Sequence, residues 1–210
     1  WVELEAGRVL SEAGSTPLYA YFPSTAVVSL LYLTQDGASA EFAVVGRDGV
    51  VGISLLMGGD TSPGSAVVQG AGLACRVRAQ FLREEMRHGG ASLVLLLRYV
   101  QAMLTQVVQS AACNRYHSIE QQLARRLLMG LDRSTGQELR MTQELLASLL
   151  GVRREGVTAA ALRLQHAGVI RYSRGRIAVL DRPGLEQHAC ECYAATRREC
   201  ERLLPVAMAA

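Results

Sequence analysis

Apolar residues follow two rhythms along this chain. In roughly the first 80 positions they fall into short runs, Ala26-Val27-Val28-Ser29-Leu30-Leu31-Tyr32-Leu33, Ala40-Glu41-Phe42-Ala43-Val44-Val45, Ser65-Ala66-Val67-Val68 and Leu73-Ala74-Cys75-Arg76-Val77, each bounded by Gly, Pro, Asp or Ser. Many short, punctuated strands predict an antiparallel sandwich or barrel reaching to about Leu82. From Leu93 the rhythm changes. Leu93, Leu97, Val100, Leu104, Val107, Ala111 and Asn114 alternate spacings of four and three, a heptad seam suited to pairing two helices. Leu95, Leu96 and Met103 widen the apolar face enough for the same helix to cover the barrel. A further helix is expected over His117 to Leu128, with Ser118 as its cap and the break before it as a hinge.

The densest signal is Thr142-Gln143-Glu144-Leu145-Leu146-Ala147-Ser148-Leu149-Leu150-Gly151-Val152-Arg153-Arg154-Glu155-Gly156-Val157-Thr158. Thr142 is a good N-cap, Glu144 places negative charge in the first turn, and Met141 with Leu146 can form a hydrophobic staple. Gly151 falls where the first helix must end, because glycine enters the left-handed region without penalty. At about 100° per residue, Val157, Ala160, Ala161 and Leu164 gather on one face of the next helix, while Arg154, Glu155 and Thr158 gather on another. The first set packs and the second is free to read. Arginine can donate to N7 and O6 of guanine and glutamate can accept from N4 of cytosine, so Arg154 and Glu155 suit a G·C-containing site. The competing reading is a helical hairpin with a solvated Arg-Glu pair. Gly168 then ends the helix, and Val169-Ile170-Arg171-Tyr172 and Arg176-Ile177-Ala178-Val179-Leu180 flank Ser173-Arg174-Gly175 as a hairpin. Two helices followed by a hairpin predict a winged helix, with Arg174 and Arg176 at the wing tip. The DNA-contact candidates are Thr142, Gln143, Arg153, Arg154, Glu155, Thr158, Arg174 and Arg176.

Thr142 through Leu180 resembles the winged-helix domain of the bacterial Crp/Fnr transcription regulators, whose recognition helix carries an Arg-Glu pair, a small residue and Val, here Arg154-Glu155-Gly156-Val157. Arg153 stands where a capping serine is common, and Ala159 where the cyclic-AMP receptor has another base-contacting arginine. The N-terminal half resembles the family's jelly-roll effector domain at Tyr21-Phe22-Pro23, Val45-Gly46-Arg47-Asp48-Gly49 and Gly52. Members that bind cyclic nucleotides grip the ribose with a Gly-Glu pair and the phosphate with an Arg followed by Ser or Thr. The matching stretches are Gly52-Ile53-Ser54-Leu55-Leu56 and Pro63-Gly64-Ser65-Ala66, so Ile53 replaces the glutamate and Gly64 the arginine. Without that charge-assisted contact an anionic ligand loses its strongest anchor, although amides near Gly58-Gly59 offer sites for a different anion.

Charge sharpens this picture. The net charge is +3, but residues 1–110 carry 7 arginines against 9 carboxylates, and residues 111–210 carry 15 against 10. The positive excess lies in the half with the winged helix, as DNA binding requires. All 22 basic residues are arginine, which suits bidentate phosphate and guanine contacts. No apolar run approaches a membrane span and no charged-then-apolar leader is seen, so a cytoplasmic location and no membrane partner are expected. The chain opens on Trp1 rather than Met, and further residues are expected before it.

A cupin-type metalloenzyme would need histidines clustered inside the barrel. His88, His117, His166 and His188 all lie outside the proposed strands, so no catalytic residue and no cofactor is assigned. Five cysteines with no export signal indicate free thiols. Cys75 and Cys113 read as core fillers. Cys190, Cys192, Cys200 and His188 have soft-metal chemistry, but Cys190 and Cys192 on one helix would point about 200° apart, so a structural tail helix with no metal is expected. The family's iron-sulfur members hold their cluster mainly through cysteines near the N-terminus, a pattern absent here.

The expectation is an α+β chain: an effector jelly roll over 1–90, a dimerisation helix over 91–115, a winged helix-turn-helix domain over 116–184 and a helical tail over 185–210. The expected seam is Leu93, Leu97, Val100, Leu104, Val107 and Ala111. The expected function is a homodimeric regulator that binds an inverted repeat in double-stranded DNA and meets RNA polymerase, with an effector ligand that is not a cyclic nucleotide. The alternative is a small-molecule-sensing or protein-interaction module whose winged helix no longer binds DNA.

Overall fold

The computed structural model describes residues 1–134, 136 and 138–204. The N-terminal half is two antiparallel sheets. One has the order β1 (Val2–Leu4), β7 (Gly72–Arg78), β3 (Tyr19–Pro23), and the other β2 (Val9–Ser11), β6 (Ser65–Gly70), β4 (Val27–Leu33), β5 (Ser39–Val45). Their inward positions, including Leu4, Tyr21, Val28, Val45, Val51, Ala66 and Val68, close over an apolar core. The strands end at Arg78, earlier than the expected Leu82, because α2 (Ala79–His88) begins at once. The short α1 (Ser54–Met57) occupies the stretch that resembles the ribose-binding part of the cassette.

Helix α3 (Ala91–Tyr116) runs from the barrel to α4 (Ile119–Arg133). Ser118 caps α4 as expected and shares a full capping box with Gln121. The face that α3 buries is Tyr99, Ala102, Gln106, Ser110 and Cys113, and the expected seam lies on the other side: Leu97, Leu104 and Ala111 are exposed, and Leu93, Val100 and Val107 half-buried. Leu96 and Met103 pack inward as expected, but Leu95 stays exposed. The buried face thus carries polar Gln106 and Ser110, while Val94, Leu97, Leu104 and Val108 lie exposed on the other side. An 18-residue stretch of the helix has a mean hydropathy of 1.5, long and apolar enough by composition to cross a membrane. This differs from the sequence reading because Arg98 and Arg115 are its only charges; Gln106 and Ser110 lie on the buried stripe, whereas Gln101 is exposed.

That stripe is used. Gln106 Nε2 donates to Val44 O at 3.3 Å, its Oε1 accepts from Arg133, and Ser110 Oγ accepts from Arg125 at 2.9 Å. Two ion pairs fix α4 to the barrel. Arg126 Nε lies 2.5 Å from Glu41 Oε1 and its Nη2 donates to Oε2 at 3.0 Å, with both side chains about 5% exposed or less and Ser29 bonded to the same carboxylate. Arg133 Nη2 lies 2.7 Å from Asp48 Oδ2. Here the Val45-Gly46-Arg47-Asp48-Gly49 motif acquires a physical reason. A Cβ on Gly46 would lie 2.6 Å from Arg133 Cβ, and one on Gly49 2.5 Å from the Tyr99 ring, so only glycine lets both helices approach.

The C-terminal half packs α4, α5 (Gln143–Leu150), α6 (Arg154–His166) and α7 (Arg182–His188) with a small sheet in the order β8 (Glu138–Arg140), β10 (Arg176–Val179), β9 (Ile170–Ser173). Leu123, Leu127, Leu146, Val157, Leu164, Ile177 and Leu185 form its core. The tail departs from expectation in three ways. Helix α7 spans the expected boundary at 184/185, since Asp181 caps it and Leu185 is fully buried. Helix α8 (Glu191–Leu203) returns to the barrel, where Cys200, Leu203 and Leu204 join Ala20, Val50 and Tyr99 in one core. Cys190 is the extended N-cap of α8, not a residue within it, so the argument that Cys190 and Cys192 point apart does not apply. Cys113 is fully buried, as a core filler would be, in a small separate cluster with these two.

Removing one partner of a buried pair strands the other charge. Glu41→Ala is expected to lower unfolding free energy by about 3–5 kcal/mol in urea denaturation, whereas Glu41→Leu combined with Arg126→Met should recover most of that loss.

Candidate nucleic-acid interface

Thr142 begins the site, and its Oγ1 accepts from Leu145 N at 3.1 Å, capping α5. Gly151 closes that helix in the left-handed region at φ 65°, and three residues, Gly151 to Arg153, separate α5 from α6, as a helix-turn-helix requires. Val157, Ala160, Ala161 and Leu164 are buried as the spacing predicts. That leaves Arg154 and Glu155 exposed on the first turn of α6, beside exposed Arg153. Arg153 occupies the N-cap without a side-chain hydrogen bond, so the first amides of α6 remain open to an anion.

Gln143 and Thr158 meet each other: Thr158 Oγ1 donates to Gln143 Oε1 at 2.8 Å, which leaves the Gln143 amide nitrogen free to donate. Arg154 and Glu144 lie 4.0 Å apart and exposed, a contact too weak to hold the guanidinium away from a ligand.

In the wing, Ser173 pairs with Arg176, and the two residues between them, Arg174 at φ 49° and Gly175 at φ 74°, make a hairpin loop with both residues left-handed. The loop is tied to the helices. Met141 N donates to Gly175 O at 2.8 Å, and Tyr172 donates its hydroxyl to Met141 O at 2.8 Å and its amide to Gln165 Oε1 at 2.6 Å. Burial raises the Tyr172 phenol above its ordinary pKa, which keeps it a donor. A cleft between α6 and the wing is lined by Thr142, Gln143, Arg154, Thr158, Tyr172 and Arg174. Arg176 lies outside that lining and 3.9 Å from Glu138. The short β8 was missed in the sequence, and with it Arg140, which stands directly opposite Arg176 and is exposed. The alternation in Glu138-Leu139-Arg140 was the available signal, too short to separate from a loop.

The other half of the cassette resemblance is also visible. Ile53 packs against the apolar cluster around Tyr99. A Cβ at Gly64 would lie 2.7 Å from both Leu31 O and the Phe42 ring, so this backbone has no room for an arginine there. Ser65 Oγ accepts from Ala13 N at 3.1 Å.

These features define a winged-helix DNA-binding domain joined through a long helix to a β-barrel domain. The family model of the cyclic nucleotide-binding domain matches residues 1–88, and that of the Crp-like helix-turn-helix domain residues 121–188. The chain belongs to the Crp/Fnr family of transcription regulators, whose members are DNA-binding regulators and not enzymes. Among solved structures, a CRP-family regulator from Thermus thermophilus superposes with a TM-score of 0.73 at 18% identity, covering 90% of this chain and 96% of that one. A second CRP/FNR-family regulator from the same organism gives 0.71 at 21%, covering 90% and 97%. FixK2 from Bradyrhizobium japonicum gives 0.75 at 16%, covering 90% and 96%. At these identities the likeness is one of fold. No curated protein matches the chain in sequence.

Proposed function

We propose that the protein acts as a homodimer that reads an inverted repeat in double-stranded DNA with Arg154 and Glu155, holds the phosphates with its wing, and does so without a cyclic nucleotide. The observation that carries this reading is the placement of Arg154 and Glu155, exposed on the first turn of α6, beside a wing whose tip arginine is fixed by the bonds through Met141 and Tyr172. Arg154 would take N7 and O6 of a guanine, and Glu155 the N4 amine of a cytosine. The open amides of α6, Thr142, Gln143, Arg153, Arg174 and Arg176 would meet phosphate, with Arg140 as an addition from the neighbouring strand. Such a reading places the protein in the cytoplasm, in reach of RNA polymerase.

Dimerisation follows from α3. Val94, Leu97, Leu104 and Val108 are 50–63% exposed along one side of a helix whose opposite side is occupied by the barrel and α8. A stripe of that size is best covered by its own copy, which sets two recognition helices about one helical turn of DNA apart. Cyclic-nucleotide independence rests on Ile53 and on the filled space at Gly64.

Arg154→Ala is expected to cost about 1–3 kcal/mol on the preferred site and to relax selectivity at one position per half-site, measured by binding to a randomised operator library. Arg174→Ala should weaken binding to all sequences and flatten the salt dependence. Equal losses on specific and random DNA for Arg154→Ala would refute the assignment.

Leu104→Asp is expected to give monomers in sedimentation and only weak half-site binding, while the native chain sediments as a dimer at micromolar concentration. Titration calorimetry with cyclic AMP or cyclic GMP is expected to show no binding in the low-micromolar range. Each missing charged hydrogen bond is worth about 1.5–3 kcal/mol, so two together weaken a micromolar site by about a hundredfold or more.

A further inference from the structure

The last turn of α3 and the first turn of α8 bring together four side chains that lie far apart in sequence. Cys113 sits in the last turn of α3 and His117 is its C-cap, while Cys190 caps α8 and Cys192 follows in its first turn. The three sulfurs and a ring nitrogen of His117 all lie within 4.8 Å of one another. Cys113 Sγ is 3.4 Å from Cys190 Sγ, and Cys192 Sγ is 3.6 Å from His117 Nδ1. A tetrahedral ion with bonds of about 2.3 Å to sulfur and 2.0–2.1 Å to nitrogen holds its ligand atoms roughly 3.4–3.8 Å apart. The two closest contacts, 3.4 and 3.6 Å, are of that kind, and the remaining separations lie within 4.8 Å. The spacing is too wide for a disulfide, whose sulfurs are about 2.05 Å apart, and tighter than a cluster that spreads its ligands over several irons.

Two surrounding features point the same way. Nε2 of His117 lies 3.2 Å from Glu191 Oε1, the outer carboxylate that fixes the tautomer and leaves Nδ1 with its lone pair toward the sulfurs. Arg125 is 7% exposed, donates to Ser110, has no partner for its Nε and, among the described residues, no carboxylate in contact. It lies close enough to Cys113 and Cys192 to act on both electrostatically. A divalent ion on three thiolates and a neutral imidazole carries one net negative charge, the counter-charge that this buried guanidinium otherwise lacks. The cysteines are 0–4% exposed, so the site is closed, and Gln122 Nε2 holds the ligand-bearing turn by donating to Cys113 O and His117 O.

We propose that Cys113, His117, Cys190 and Cys192 bind one zinc-class divalent ion in a tetrahedral Cys3His site that ties α8 to the α3–α4 joint. Loading forms three metal–sulfur bonds and one metal–nitrogen bond and releases the three thiol protons to solvent. Because α8 shares a core with the barrel while α4 belongs to the DNA-binding half, the ion stiffens the joint between the two.

The test uses the whole chain, purified under reducing conditions, stripped with a chelator and reloaded with zinc or cobalt(II). One zinc per chain by mass spectrometry is expected, with cobalt giving tetrahedral d–d bands and sulfur-to-cobalt charge transfer. Competition with a chromophoric chelator should show zinc affinity falling at least tenfold in Cys113→Ser and Cys192→Ser, and about 10–100-fold in Glu191→Gln. Cys75→Ser, in β7, should bind as the native chain does. Should the cysteine variants misfold, hydrogen exchange on the native chain decides: stripping must accelerate exchange around residues 110–118 and 190–196. Reduced native protein that takes up neither metal, full stoichiometry in folded Cys192→Ser, unchanged exchange on stripping, or iron with labile sulfide in the purified protein would each overturn the proposal.

Discussion

Everything in this chain hangs on how α4 is seated. Arg126 and Arg133 are buried one on Glu41 and the other on Asp48, so the helix that begins the DNA-binding half is anchored by charge to the barrel. Burying a guanidinium is tolerable only with a counter-charge in good geometry, and the reverse is equally true of Glu41. Each pair therefore specifies where the two halves meet more than it adds stability. Gly46 and Gly49 are the steric complement of that choice, since any side chain at either position would collide with Arg133 or Tyr99. Ser39 and Ser148, in hydrogen-bond contact, extend the same junction to the first helix of the helix-turn-helix.

A polar junction has a consequence for α3. With Gln106 and Ser110 turned inward to serve Arg133 and Arg125, Val94, Leu95, Leu97, Leu104 and Val108 are left on the outside. An isolated helix with that polarity would be exposed to aggregation, and a second copy is the simplest cover. In the proposed dimer, a single helix would thus link interdomain seating to self-association, each of its two faces doing different work.

The DNA-facing side and the effector side are built on opposite principles. Around α6, Val157, Ala160, Ala161 and Leu164 are withdrawn while Arg154 and Glu155 stay exposed, beside a frame of short hydrogen bonds through Met141, Gln165 and Tyr172. In the barrel, Ile53 packs into an apolar cluster and Gly64 lies against Leu31 and Phe42 in a close backbone approach. The wing arginine at φ 49° is the one place in the interface where a non-glycine residue is held left-handed, as a two-residue hairpin loop demands.

The sequence alone determined whatever depends on local periodicity. Four strands of the barrel (β4 to β7), the caps at Thr142 and Ser118, the turn at Gly151, the apolar face of α6 and the wing hairpin are all set by neighbours within a few residues, and Arg154 and Glu155 could be named because helical spacing leaves them on the unpacked face. Short features slipped below that resolution: β1, β2 and β8, with three residues each, the five-residue β3, the four-residue α1, and the extended cap at Cys190, which a helical wheel misplaces. What only the tertiary structure decided are contacts between distant segments. The heptad pattern of α3 marked a face but not which face the barrel would take, because Gln106 and Ser110 become favourable inside only when Arg133 and Arg125 arrive to meet them. The return of α8 to the barrel, and the meeting of Cys113 and His117 with Cys190 and Cys192, join residues more than seventy positions apart. No local pattern encodes such a meeting, since it is fixed by the packing of helices that the sequence describes one at a time.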